Sequence, residues 1–195
     1  LVHMPQATRK KPMSIPIETI RDIQAACFEI DDDLRWLVAL ISDTGMRLSE
    51  AAGLTIEDIC LEHDVPHINL KPHSWRRLKT QQSERQIPLV GTALWAAQRI
   101  TTEAEGHWCF PRYTNAESCN GNSASAALNK WLKANFDGEA VVHGFRHAFR
   151  DRLRAVDCPT EMIDQLGGWS AQNVGGRYGA GFGLEHKKRY LELMT

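Results

Sequence analysis

The segment that most constrains the fold is VVHGFRHAFRDRLRAV, residues 141–156. At 100° per residue, a helix here would separate its side chains into an apolar side and a basic side. The apolar side holds Phe145, Phe149, Leu153 and Val156, and the basic side holds His143, Arg146, His147, Arg150 and Arg154. We therefore expect a helix that packs one side on a core and presents a cationic stripe on the other.

That stripe has two interpretations. A solvated basic face is the simpler one. However, the one acid of the segment, Asp151, is expected to point elsewhere, and like charges repel along a helix unless an anion lies nearby. A phosphate group would suit them, because arginine offers planar paired donors for its oxygens.

Composition narrows the class of protein. The chain has 195 residues and a formal net charge of −1, so a nucleic-acid surface would have to come from local clustering of charge. No apolar run approaches the ~20 residues of a membrane span, and we expect no membrane partner. The cysteines are odd in number and contain no Cys-x-x-Cys pair, which predicts reduced thiols in a cytosolic protein. They are Cys27, Cys60, Cys109, Cys119 and Cys158.

The pattern of apolar residues predicts a mainly α fold with a small antiparallel β-sheet, an α+β arrangement. Helices are expected over residues 17–30, 34–42, 47–53, 91–101, 123–136, 143–156, 159–166 and 184–194. Short strands are expected over residues 59–61, 67–70 and 85–89, with a long loop over residues 103–122.

Three isolated polar residues stand out beside the stripe. Arg47 follows a predicted helix break, and Glu50 lies one turn later, where it could brace the guanidinium or form an ordinary surface ion pair. Lys79 is expected at the tip of a hairpin, where a lone lysine is usually only solvated. Tyr178 lies among glycines in GGWSAQNVGGRYGAG, where an aromatic side chain is unexpected unless its hydroxyl has a function.

The spacing of the cysteines and histidines argues against a metal site. Cys60, His63 and His67 are closely spaced, but a structural zinc site needs four ligands and no second pair is evident. His143 and His147 have i,i+4 spacing, but the Glu that a metalloprotease helix carries after its first His is missing. We therefore expect no metal.

These motifs, in order, resemble the tyrosine recombinases, the phage-type integrase family. The matching residues are Arg47 in TGMRLSE, Lys79 in a K-T-x-x-S-x-R pattern, His143-x-x-Arg146 in HGFRH, Trp169 in LGGWS and Tyr178. Most members have a histidine where Trp169 stands. The resemblance covers residues 13–195, the family's catalytic domain. Residues 1–12 are expected to be a vector remnant and linker, and the family's upstream DNA-binding domain to be absent from this chain.

The resemblance implies that Tyr178 attacks a DNA phosphate, forms a 3′-phosphotyrosine and releases a 5′-hydroxyl. A phenol has a pKa near ~10, so only about one in a thousand is ionised at pH 7, a deficit of ~4 kcal/mol that a base can offset. His143 is the candidate base, Arg47 and Arg146 the phosphate clamp, and Lys79 the acid for the leaving oxygen. Trp169 would donate its indole N–H to phosphate, with Glu50 and His147 in support and no cofactor. Tyr190, the competing nucleophile, is interpreted as helix packing.

The resemblance also implies the partners. We expect double-stranded DNA attachment sites, contacted by Arg76, Arg77, Arg150 and Arg154, and other protomers in a synaptic tetramer. The isolated domain could be monomeric. The expected function is site-specific integration or excision of a mobile element in the cytoplasm of a bacterial host, at its nucleoid. A type IB topoisomerase-like enzyme and a non-catalytic DNA-binding module are the alternatives. The last helix could dock on a neighbouring protomer or on its own domain.

Overall fold

The computed structural model describes residues 14–136, 140–170 and 181–195, and most of them are helical. The helices are α1 (Ile17–Ile30), α2 (Asp33–Thr44), α3 (Leu48–Ala52), α4 (Gly91–Glu103), α5 (Gly121–Asn135), α6 (Gly144–Ala155), α7 (Thr160–Gly167) and α8 (Leu184–Met194). The strands are β1 (Ile59–Cys60), β2 (His67–Leu70) and β3 (Arg85–Pro88). The predicted fold class, mainly α with a small antiparallel sheet, is confirmed.

The ends of α2 show how local chemistry sets the helix boundaries. The Asp32 side chain caps the first turn by accepting a hydrogen bond from the Arg35 amide. The helix continues two residues past its expected end at Ser42, because Thr44 Oγ1 donates to the Leu40 carbonyl and Gly45 closes the last turn. Gly45 takes a left-handed conformation with φ of 64°. The chain therefore turns sharply just before Arg47.

The three strands form one antiparallel sheet in the order β1-β2-β3. Ile59 pairs with Ile68, and Leu70 pairs with Arg85. The connection between β2 and β3 covers residues 71–84, with a bridge between His73 and Arg76 and a short 3-10 turn over Gln81–Ser83. Lys79, expected at the tip of the hairpin between these strands, lies within this connection, between the two local turns.

Helix α6 lies between two groups of buried apolar side chains. Phe145 and Ala148 belong to the larger group, which joins α1 to α5 and the sheet. Phe149 and Leu153 belong to a smaller group that includes residues of α7 and α8. The apolar side of α6 is thus divided along its length between two cores. This arrangement fixes the rotation of the helix and the direction of its basic side.

The last helix packs on its own chain, against β3 and α6. Leu191 and Met194 are buried in the smaller core, and the half-buried Tyr190 packs at its margin. Leu193 points outward and is 63% exposed. No helix in the described ranges is long and apolar enough to cross a bilayer.

All five cysteines are free thiols. Burial raises the pKa of Cys27 to about 12 and that of Cys158 to about 11, and it also raises the pKa of Cys109. Cys60 and Cys119 are partly exposed. The interior thiols are therefore held in their neutral, unreactive form.

The close approach of Gly45 to α6 yields a test of the fold. A Cβ atom added at Gly45 would lie 2.3 Å from Phe149 Cδ1, and the positive φ adds backbone strain. We expect Gly45→Ala to lower the free energy of unfolding by about 3 kcal/mol, measured by urea denaturation. Gly106→Ala is the matched control, since nothing lies within 4 Å of its added Cβ atom. Equal stability of the two variants would contradict the packing described here.

Candidate active site

The buried carboxylate of Glu50 binds two arginines of the site, Arg47 and Arg85. Arg47 precedes α3, and its Nη1 donates to Glu50 Oε1 at 2.7 Å, while its backbone N–H donates to Oε2 at 2.9 Å. Arg85 Nη2 donates to the same Oε2 at 3.0 Å. Burial alone would raise the pKa of Glu50, but the charge of Arg85 and the hydrogen bonds from both arginines hold it below its ordinary value. Glu50 is therefore ionised and holds Arg47 with its guanidinium partly exposed.

Arg85 was not assigned a role from the sequence, although the K-T-x-x-S-x-R pattern contains it. Its Nε donates to the Leu166 carbonyl at 2.7 Å, and its Nη1 donates to the Ser83 carbonyl at 2.6 Å. This guanidinium thus joins β3 to the end of α7 and to Glu50. The available signal was strand periodicity, because Arg85 stands two residues before the buried Ile87 and so lies on the same, inward face of β3.

Arg146 is the buried member of the basic stripe. Its residue exposure is only 5%, and its Nη1 donates to the Gly45 carbonyl at 2.6 Å. Burial, together with the positive charge of Arg47, lowers the pKa of Arg146 to about 10. The group is still charged at neutral pH, but it is poorly compensated. An incoming anion would relieve this cost of burying a charge.

Trp169 lies under two guanidinium groups. Gly168 ends α7 in a left-handed conformation, and the Trp169 amide donates back to the Asp164 carbonyl at 2.9 Å. The Cζ atoms of Arg146 and Arg150 lie 4.5 and 4.7 Å from the centroid of its ring. Such cation–π contacts hold all three planar groups in place.

These side chains enclose a pocket of about 240 Å³. It is lined by Arg47, Lys79, His143, Arg146, His147, Arg150 and Trp169, and none of the described residues in its wall is acidic. The His143 and His147 rings lie edge to face, 5.0 Å apart. Burial, followed by the neighbouring cations, lowers the pKa of His143, so at neutral pH its imidazole can accept a proton. The pocket therefore combines fixed positive charge with a neutral base.

Two stripe residues have acidic partners that the sequence did not reveal. Arg150 Nη2 donates to Asp164 Oδ1 of α7 at 3.0 Å. Arg154 lies outside the pocket and is 3.8 Å from Asp151 Oδ1, which was expected to point away from the stripe. The stripe is therefore partly neutralised at its C-terminal end, and its positive charge is concentrated near His143.

Arg76 requires a correction. It was expected to contact DNA, but it is 3% exposed and its Nη1 donates to the Lys71 carbonyl at 2.9 Å. The side chain packs inward against Gly53, whereas the neighbouring Arg77 is exposed. Tyr178 lies outside the described residues. Gly181, three positions later, lies against the Gln165 side chain of α7.

In the described ranges, no group of three or more His, Cys, Asp and Glu side chains is arranged to hold a metal ion.

Relatives of known sequence match most of this chain. The tyrosine recombinase XerC of Neisseria meningitidis serogroup B is 23% identical over 176 residues, covering 86% of this chain. The tyrosine recombinase XerD of Corynebacterium glutamicum is 26% identical over 170 residues, covering 87%. The chain spans only 55% of the length of each relative.

Solved structures have the same fold. The XerA recombinase superposes with a TM-score of 0.62 at 14% identity, covering 97% of this chain and 61% of that one. The integrase of transposon Tn1549, solved with circular intermediate DNA, superposes with a TM-score of 0.63 at 16% identity, covering 93% and 65%. The sequence model of the phage integrase family matches residues 15–181. This chain therefore belongs to the phage integrase family.

Proposed function

We propose that this chain is the catalytic part of a site-specific DNA recombinase. It cleaves and rejoins DNA strands through a 3′-phosphotyrosine intermediate formed by Tyr178. The observation that carries the proposal is the pocket between α3, α6 and Trp169, which gathers three arginines and a lysine around one space. A phosphodiester in this space would meet charge-assisted donors on several sides.

The proposed roles follow from the chemistry of each group that lines the pocket. Arg146 and the partly exposed Arg47 bind the non-bridging phosphate oxygens, where negative charge grows in the transition state. His143, neutral because its pKa is lowered, takes the proton of the Tyr178 hydroxyl. Lys79 protonates the departing 5′-oxygen. Trp169 donates its indole N–H to phosphate, while Glu50 and His147 keep the other groups in place.

The wider activity is inferred from the relatives. They are named tyrosine recombinases, and one similar structure is a transposon integrase with circular intermediate DNA. We propose double-stranded attachment sites as the substrate, integration or excision of a mobile element as the outcome, and several protomers on DNA as the active assembly. Since the relatives are bacterial, we place this activity in the bacterial cytoplasm. The exposed Arg77 and Arg154 and the half-exposed Arg150 supply backbone contacts.

Covalent trapping tests the nucleophile. Nicked duplexes are selected from a random library by recovery of DNA bound covalently to the protein. We expect Tyr178→Phe to fold and to bind DNA but to form no adduct, because only the attacking oxygen is lost. Tyr190→Phe is the matched control and still forms the adduct. Peptide mapping that finds the phosphotyrosine at Tyr190 would overturn the assignment. Sequence-independent relaxation of supercoiled plasmid would instead identify a topoisomerase-like enzyme.

The phosphate clamp is tested at Arg146. Arg146→Ala is expected to reduce the cleavage rate by about 10²-fold or more, because a buried cation opposite the phosphoryl oxygens is removed. Arg146→Lys keeps the charge without the paired donors and should recover part of the rate. Arg112→Ala removes an exposed arginine that is paired with Asp33, and should cleave like the parent. Cleavage in EDTA should equal cleavage without it. Parent-like cleavage by a folded Arg146→Ala would exclude the clamp.

The general acid is tested by replacing the scissile 5′-oxygen with sulfur. A thiolate leaves without needing a proton, so this substrate bypasses the acid. We expect Lys79→Ala to cleave normal DNA about 10²-fold more slowly than the parent and the sulfur-substituted DNA at nearly the parent rate. Arg146→Ala should not be rescued, since its defect lies at the non-bridging oxygens. Without selective rescue of Lys79→Ala, the acid would have to be another residue, with His143 the first candidate.

A further inference from the structure

Lys79 is exposed on a long, flexible side chain, so its position depends on the backbone that carries it. A general acid must reach within hydrogen-bonding distance of the leaving oxygen, and a displacement of about 1 Å can cost a factor of 10². The connection over residues 71–84 must therefore be held more firmly than its exposed location suggests. The contacts on both sides of Lys79 indicate how this is done.

Before Lys79, the chain is anchored by His73. Its Nε2 lies 2.9 Å from Asp58 Oδ2 and 3.2 Å from Asp58 Oδ1. Asp58 is completely buried and also accepts a hydrogen bond from the Thr55 amide at 2.9 Å. The backbones of His73 and Arg76 exchange two hydrogen bonds of 3.1 and 3.2 Å, which close a compact turn. The turn is therefore anchored to the buried carboxylate of Asp58.

The same turn is tied to the helix that carries Glu50. The Trp75 ring stacks on His73, with centroids 4.3 Å apart and planes 10° from parallel. Its Nε1 donates to the carbonyl of Gly53, which directly follows α3, at 3.0 Å. The Trp108 ring packs against this indole in an edge-to-face arrangement, with centroids 4.7 Å apart. The stack on His73 thus orients the Trp75 indole. The hydrogen bond of that indole joins the connection to the end of α3.

After Lys79, the chain is attached to the pocket itself. Ser83 Oγ accepts a hydrogen bond from Arg47 Nη1 at 3.1 Å, and it lies 3.1 Å from Thr80 Oγ1. Lys79 therefore lies on a short span between an anchor at Arg47 and an anchor at Asp58. Neither member of the second anchor, His73 or Asp58, lines the pocket.

We propose that His73 is a positioning residue for Lys79, acting through its hydrogen bond to Asp58 and its stack on Trp75. The proposal rests on the role of Lys79 as general acid proposed above. It assigns to His73 no contact with DNA. Loss of His73 releases the turn, lets the Lys79 ammonium move away from the 5′-oxygen and leaves the arginines in place.

The sulfur-substituted duplex separates this role from a general loss of stability. We expect His73→Leu to cleave normal DNA about 10- to 100-fold more slowly than the parent and the sulfur-substituted DNA within about threefold of it. His73→Gln can place a donor near the position of Nε2 and should recover most of the rate on normal DNA. His67→Ala is the control, because this buried histidine on β2 bonds to the Val65 carbonyl and does not touch the turn. It should affect both substrates equally.

The outcomes distinguish the two proposals. If sulfur rescues Lys79→Ala but not His73→Leu, His73 is only structural and the positioning role is wrong. If sulfur rescues neither variant, or the parent forms no adduct, the general-acid assignment fails and the inference fails with it.

Amide hydrogen exchange provides a readout that needs no cleavage. We expect His73→Leu to accelerate exchange over residues 74–82 by about tenfold or more, with α1 and α4 unchanged, because only the anchored turn is released. His67→Ala should leave residues 74–82 at the parent rate. Unchanged exchange in His73→Leu would show that the connection is held without this contact and would overturn the proposal.

Discussion

The site depends on one buried carboxylate. Glu50 is 2% exposed and accepts hydrogen bonds from both Arg47 and Arg85. Removing one member of a buried ion pair typically costs about 3–5 kcal/mol, because the remaining charges lose their compensation. Here the same loss would release α3 from Arg85 of β3, which also bonds to the Leu166 carbonyl at the end of α7. Arg47 is thus positioned in the pocket by a residue that is not part of the pocket wall.

The arginines of the site are bound to other groups of the protein on their inner sides. The three arginines that line the pocket are each bound by a group behind them: Arg47 by Glu50, Arg146 by the Gly45 carbonyl, and Arg150 by Asp164. The sharp turn at Gly45 and the division of α6 between two cores set the angles at which these groups meet. These bonds on the inner sides of the guanidinium groups hold several like charges around one pocket.

Local patterns in the sequence predicted most of this fold and only part of the site. The helices and strands were found because their periodicity and end signals are local, and α6 was found because its two sides differ so clearly. Arg76, Arg85 and Asp164 were misjudged or missed because their burial depends on which distant segment covers them. A basic pair such as Arg76-Arg77 looks uniform in sequence, but strand and turn geometry directs one side chain inward and the other outward. The turns inside the connection that carries Lys79 could not be found from local patterns, because they are closed by Asp58 and Gly53, which lie well before it in the chain.

The distribution of thiols determines which positions of this protein can be labelled chemically. Thiolates, not thiols, react with maleimides and iodoacetamides, so the raised pKa and burial of Cys27, Cys109 and Cys158 protect these three residues. Cys60 on β1 and Cys119 near α3 are the partly exposed ones, and Cys119 Sγ lies 3.7 Å from the Ser49 carbonyl. Replacing Cys119 would therefore direct a fluorophore or spin label to Cys60 on the sheet, and replacing Cys60 would direct it to Cys119 near α3. The interior cysteines can remain as they are.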